Sequence, residues 1–266
     1  MKKVALSGAG GILGSILRKG LLQRGVNLRS AGFEALQPLQ AGEDLVHGDL
    51  RSPAVVDRTL VGVDVLIHLA GTSVERPLPE IIENNLRGLY EVYEGARRHG
   101  VKRIVFASSN HAFGMHRTTD KLKLDAPYRP DGLYGLSKQW GEGMAQLYWD
   151  KHGIEGISLR IGTCMGKPPE NERQLSTWLG AEDALHLAMR CIEAENVGCT
   201  AVWGISNNTR AWYDLSEGNA IGYAPQQNAE RWADEILAQP NTMDVVGRTF
   251  QGGTFASHDF TGPKPT

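Results

Sequence analysis

Seven residues near the start of the chain, Gly8-Ala-Gly-Gly11-Ile-Leu-Gly14, leave few folds open because of what flanks them. Lys3-Val-Ala-Leu-Ser7 reads as a buried strand, and after Gly14 the residues Ile16, Leu17, Leu21 and Leu22 recur at helical spacing. Strand, glycine turn and helix in that order make a phosphate cradle. The glycines let the backbone approach a pyrophosphate, and the helix N-terminus offers unpaired N–H groups and a partial positive charge. The spacing Gly8-x-x-Gly11-x-x-Gly14 differs from the commoner G-x-G-x-x-G, but its physics is similar. The same residues could also form a tight turn that binds nothing, so the rest of the chain has to decide.

Further strands are expected over residues 26–31, 46–50, 64–71, 103–109, 156–162 and 199–206. Helices are expected after Pro53, over 79–100, from Tyr134 to about His152, and over 181–194 and 229–237. Strands alternating with helices give an α/β fold, a Rossmann-type doubly wound parallel sheet. The whole chain, 1–266, is read as a single dinucleotide-binding domain. Residues from about 163 to 266 form a small C-terminal lobe that covers a substrate at the carboxyl edge of the sheet. Residues 117–129 read as a polar surface excursion and 165–173 as irregular. The tail around Phe250 has no evident place from periodicity alone.

A net charge of -2 argues against a nucleic-acid surface. No apolar run is long enough to span a bilayer, and the lysines at 2 and 3 lead into a short strand, not a signal peptide. Three cysteines, Cys164, Cys191 and Cys199, form no C-x-x-C pair, which fits reduced thiols and a cytoplasmic location. His116, His152 and His186 lack a ligand pattern, so no metal is expected.

The chemistry concentrates in Asp131-Gly-Leu-Tyr134-Gly-Leu-Ser-Lys138. Tyrosine and lysine four apart share a helix face, and an adjacent ammonium favours the phenolate, bringing a weak base towards its working range. Ser109, at a strand end upstream, adds a hydroxyl donor. Asp49, at another strand end, could accept a bond from an adenine amino group or cap the helix after Pro53. Small residues at Ala70 and Gly71 would let a ribose lie against the backbone, with Ser73 at the mouth. Asn85, inside a helix, could shape the strand-end loops. No acid ends the second strand, where one usually binds the adenine ribose; Ala31-Gly32-Phe33 stands there, so NADP stays open beside NAD.

Ser109, Tyr134 and Lys138 behind the glycine turn resemble the extended short-chain dehydrogenase/reductase superfamily, with Phe113 where its Ser-Ser-x-x-x-Tyr-Gly pattern has tyrosine. Ala107-Ser-Ser-Asn-His111, Arg129-Pro-Asp-Gly-Leu-Tyr-Gly-Leu-Ser-Lys138, Leu159-Arg-Ile-Gly-Thr-Cys164, Leu175-Ser-Thr-Trp178 and Phe250-Gln-Gly-Gly-Thr-Phe255 resemble segments of the uronate dehydrogenases. That resemblance implies oxidation of D-galacturonate and D-glucuronate at C1 to the aldarolactone in hexuronate catabolism, with NAD as acceptor and a homo-oligomeric enzyme. It implies catalytic roles for Tyr134, Lys138 and Ser109. Cofactor contacts are implied for Gly8, Gly11, Ile12, Leu13, Gly14, Gly32, Phe33, Asp49 and Leu50. Leu69, Ala70, Gly71, Asn85, Ile161 and Cys164, with Tyr134 and Lys138, complete that set. Substrate contacts are implied for Ser73, Ser109, Asn110, His111, Tyr134, Thr163 and Arg173, with Arg173 on a mobile loop taking the carboxylate. The family's acid aligns with Gly32, and Thr163 stands where a serine is frequent.

Two other readings share the fold. A nucleotide-sugar epimerase or dehydratase needs a larger C-terminal lobe than the roughly hundred residues after Thr163. A dinucleotide-sensing regulator would have no need of the Tyr134 and Lys138 pair.

Overall fold

The computed structural model describes residues 2–40, 43–216 and 221–265. The strands are β1 (Lys3–Ser7), β2 (Asn27–Gly32), β3 (Asp44–His47), β4 (Val65–His68), β5 (Arg103–Ser109), β6 (Glu155–Ile161) and β7 (Cys199–Gly204). They form one seven-stranded sheet in the order β3-β2-β1-β4-β5-β6-β7, every pair parallel. Chain order reverses at β1, so the carboxyl ends of β1 and β4 flank a crevice, the place where such sheets bind ligands.

Apolar strands need cover on both faces, and two cores supply it. On one face α1 (Ile12–Gln23) and α7 (Ala181–Glu193) pack Leu17, Leu21, Leu187 and Cys191 on Val4, Leu6, Ile67 and Ile157. On the other, α2 (Pro53–Leu60), α4 (Gly88–His99) and α5 (Leu133–His152) bring Val56, Leu89, Val92, Tyr93 and Met144 onto Ala5, Leu66 and Ile104.

Three expectations shift. The third strand lies at Asp44–His47, not 46–50: its pairing stops at Gly32↔His47, and Gly48 turns away at φ 143°. Asp49 therefore lies beyond the strand, and it does not cap α2, whose N-cap is Ser52; its carboxylate is held by Arg51. Residues 117–129 are not simply a surface excursion. Leu122 bridges to Tyr213 and packs with Phe113, Trp203 and Tyr213, and Arg117 bridges to Phe250.

The helix expected over 79–100 is a continuous rod made of α3 (Leu78–Ile81), a π-helical turn (Ile82–Arg87) and α4. Such an extra residue in a turn is uncommon and tends to mark functional sites. Here it holds Asn84 and Asn85. The irregular segment before Arg173 gives way to α6 (Glu172–Thr177), so Arg173 sits on a short helix rather than a loop. Beyond β7, α8 (Ala233–Leu237) packs against α6 through Ile236, Ala233, Leu175 and Trp178. The helices α9 (Val245–Thr249) and α10 (Thr254–Ser257) follow. Among the described residues no helix is long and apolar enough to cross a membrane.

Candidate active site

A cavity of ≈ 1630 Å³ opens along the carboxyl edge of the sheet. That exceeds the roughly 300–1,000 Å³ of a single-ligand pocket, and leaves room for two ligands end to end.

Its floor is the glycine turn. Gly8 has φ 69°, and a Cβ there would come within 2.9 Å of the Ala70 nitrogen. A Cβ on Gly14 would collide with the Gly8 carbonyl, so α1 can start this close to β1 only with glycine. Gly11 caps α1 without a side-chain bond, and the first turn carries no acid, which leaves its N–H groups for an anion. Ile12 and Leu13 line the same end.

Across the crevice, Leu69, Ala70 and Gly71 leave β4, with Ile161 at the end of β6 and Cys164 beyond it, and all five line the cavity. Burial pushes the Cys164 thiol up to about 11, so it is an inert lining group. At the far end Gly32, Phe33, Asp49 and Leu50 line it as expected. Phe33 is 73% exposed, and Leu36 lies against Gly32 and Gly10. Glu34 also lines this end, and Arg51 is bound to Asp49 at 2.6 Å.

Asn85 does not line the cavity. Its Oδ1 accepts from the Thr72 N–H at 2.7 Å, and its Nδ2 donates to the Thr72 carbonyl and to Ser137 Oγ at 2.9 Å. Thus it ties the loop after β4 to α5, one residue before Lys138.

Ser109, Tyr134 and Lys138 come together on the cavity wall. Ser109 ends β5 and caps the 3-10 turn Asn110–Phe113, accepting from the His111 N–H. The Lys138 ammonium donates to the Ala107 carbonyl at 2.8 Å and lies 5.4 Å from the Tyr134 ring centre. The expectation that this ammonium draws the phenol down is not met. Burial pushes Tyr134 up to about 12, the hydrogen bond with Ser109 opposes that rise, and Asp131 adds to it. Burial also pushes Lys138 down to about 8.

The remaining groups face a second part of the cavity. Ser73, His111, Thr163 and Arg173 line it. Asn110 does not: buried at 2% exposure, it donates to Tyr213 Oη at 3.0 Å and stands behind Ser109. Arg173 donates Nε to the Gln251 carbonyl at 2.7 Å and Nη1 to Thr163 Oγ1 at 3.4 Å, while Nη2 is buried without a partner. Burial lowers its pKa, and the Asp131 charge resists that. Thr163 Oγ1 also meets Thr177 Oγ1 at 2.9 Å.

Four residues escaped the reading of the sequence. Glu75 accepts from the Leu133 and Tyr134 N–H groups, both at 3.0 Å, and so caps the helix that carries Tyr134. Asp131 holds His111, Phe255 stacks on the same ring with centroids 4.0 Å apart, and Gln251 carries the carbonyl that fixes Arg173. The motif around Phe250 was visible, but nothing local said what it touches.

Comparison with known proteins agrees with this geometry. The profile of the NAD dependent epimerase/dehydratase family matches residues 4–215. A uronate dehydrogenase of Agrobacterium fabrum is 42% identical over 261 residues, 97% of this chain and 98% of that one. One from Pseudomonas syringae pv. tomato is 39% identical over 264 residues, 98% and 96%. The solved structure of a mutated uronate dehydrogenase from Agrobacterium tumefaciens complexed with NAD superposes with a TM-score of 0.90 at 41% identity, covering 97% of each chain. The chain belongs to the NAD dependent epimerase/dehydratase family and, within it, groups with the uronate dehydrogenases.

Proposed function

We propose that this protein oxidises D-galacturonate and D-glucuronate at C1 to the corresponding aldarolactones, with NAD as hydride acceptor. The observation that carries the reading is Arg173. Arg173 lines the cavity that Tyr134 also lines and carries a buried guanidinium nitrogen with no partner, so it calls for an anion, and a sugar carboxylate supplies one with bidentate geometry.

The glycine cradle fits a dinucleotide: side chains at 8 or 14 would close it, and the uncapped N-terminus of α1 suits a pyrophosphate. The nicotinamide, when bound, supplies a hydride acceptor. Everything else falls to the chain. Tyr134 takes the proton of the anomeric hydroxyl. Ser109 donates to the same oxygen as it becomes a carbonyl, where charge develops. Lys138, held by Ala107, balances the phenolate and reaches the ribose. His111, Ser73 and Thr163 bond the ring hydroxyls, and a sugar lacking a matching hydroxyl leaves one of them unpaired.

The acids Glu34 and Asp49 surround the adenine end, and Arg51 is already paired. A 2'-phosphate would meet more negative than positive charge, which favours NAD over NADP despite Gly32. The chain beyond about residue 163 contributes Thr163 and Arg173 to the sugar-acid side of the site. Leu136, Trp140 and Leu147 lie exposed on one face of α5, an apolar stripe that supports a homo-oligomer. The three cysteines, none in a disulfide, fit the cytoplasm.

Absorbance at 340 nm with either uronate and NAD or NADP tests the reading, beside Tyr134→Phe. Rapid reduction lost in the variant is the expected result. Turnover of a UDP-sugar with no response to uronates would instead make the protein an epimerase or dehydratase.

A further inference from the structure

Asp131 lies in the turn before α5 and does not line the cavity, yet His111, which does, is bonded to it. Its Oδ2 lies 2.6 Å from His111 Nδ1, and its backbone N–H donates to the His111 carbonyl at 3.2 Å. Its other oxygen, Oδ1, is buried with no hydrogen-bond partner. The fold has cleared room for this carboxylate. A Cβ at Gly114 or Gly252 would collide with it, and Gly252 is held in place by an N–H bond to the Gly114 carbonyl at 2.8 Å.

His111 is fixed on its other sides as well. Phe255 stacks on the ring, and Tyr134 meets it edge-on with centroids 5.8 Å apart. With Nδ1 bound to Asp131, the free polar edge of the ring is Nε2, in a cavity that His111 lines.

We infer that Asp131 is a positioning residue: it holds His111 as the neutral Nδ1–H tautomer, so that Nε2 offers the sugar acid a hydrogen-bond acceptor. The inference rests on the uronate reading for the identity of the ligand. A polyol needs acceptors for its hydroxyl protons, and Arg173 has none to give. Thr163 Oγ1 is already engaged by Thr177 and Arg173, so His111 Nε2 adds an acceptor beside it.

The test has two independent arms. In the ¹⁵N spectrum of histidine-labelled wild-type protein near pH 7.5, with the His111 signals assigned by loss in His111→Gln, Nδ1 should be protonated and Nε2 bare. A protonated Nε2, as tautomer or imidazolium, overturns the inference. In kinetics, Asp131→Ala should raise KM for uronate about tenfold or more with the NAD dissociation constant unchanged. Asp131→Asn, whose amide oxygen can accept the same Nδ1–H, should recover most of that loss. Equal KM in wild type and Asp131→Ala, or no recovery in Asp131→Asn, overturns it too. The spectrum needs no substrate, so an absence of uronate turnover would sink the proposed function while leaving the tautomer result to be read on its own.

Discussion

Lys138 and Tyr134 sit one helical turn apart with the ammonium 5.4 Å from the phenol ring, yet the lysine's hydrogen bond goes to the Ala107 carbonyl. Both groups are buried. Burial holds the ammonium down at about 8 from its ordinary 10.5, so its charged form is penalised in the folded state. The unfolded chain then binds more protons between pH 8 and 10.5, and stability gained from this group rises with pH across that window. At pH 7 the penalty is fully present. Lys138→Met is therefore expected to be more stable than wild type at pH 7, by at most about 3 kcal/mol, with the margin narrowing towards pH 10.5. Melting temperatures across that range check it, and the same variant should lose turnover.

Ser109 supplies the hydrogen bond that opposes the rise in the Tyr134 pKa. Ser109→Ala should lower kcat by about 10²–10³-fold, the usual scale for a donor to a developing oxyanion. Without that bond the phenol titrates higher still, so the acid limb of the kcat/KM profile should move to higher pH. A lower kcat with an unmoved limb would assign Ser109 to the substrate oxygen alone.

Arg173→Met removes the group assigned to the sugar carboxylate. KM for uronates should rise by about 100-fold, on the scale of a buried charge-assisted pair, while NAD affinity stays unchanged. The preference for galacturonate over galactose should shrink with it. Folding should survive, because the guanidinium is itself a buried cation with an unpaired nitrogen.

Gly32→Asp places an acid at the end of β2. Titration of the free protein with each dinucleotide should show NADP binding weakened by at least tenfold, with NAD unweakened, because a carboxylate repels a 2'-phosphate and can accept from a 2'-hydroxyl. Loss of both would mean that the new side chain displaces Leu36, which already lies against Gly32.

Glu142→Gln tests the core behind the site. Glu142 and Arg160 pair at 2.9 Å, both buried, with Ser108 and Tyr128 on the same carboxylate. Leaving Arg160 without its counter-charge should cost about 3–5 kcal/mol, read as a fall of roughly 10 °C in melting temperature for a chain of this size.

What the sequence disclosed was mostly local. The glycine turn, the alternation of strands and helices and the shared face of Tyr134 and Lys138 follow from spacing along the chain, and all appear in the fold. The reading fell short where partners are distant in the chain. His111 meets Asp131 across 20 residues and Arg173 meets Gln251 across 78. Glu75 caps α5 from 58 residues away. Periodicity says nothing about such pairs. Nor does it separate a π turn from ordinary helix, since Ile82-Glu-Asn-Asn-Leu-Arg87 carries an acceptable helical pattern. The burial that lifts the Tyr134 pKa is likewise a property of the packed fold, where four-residue spacing alone suggested a lower one.

The segment from Phe250 to Phe255 also sets an order in time. Every residue of the dinucleotide cradle, from Gly8 to Cys164, leaves the ribosome before Gln251 can brace Arg173 or Phe255 can reach His111. A nascent chain halted ahead of residue 250 would already hold the residues lining the cavity from Gly8 to Arg173, but not the Gln251 carbonyl and Phe255 ring that brace Arg173 and His111. Translation itself would thus produce that lining first and its braces last.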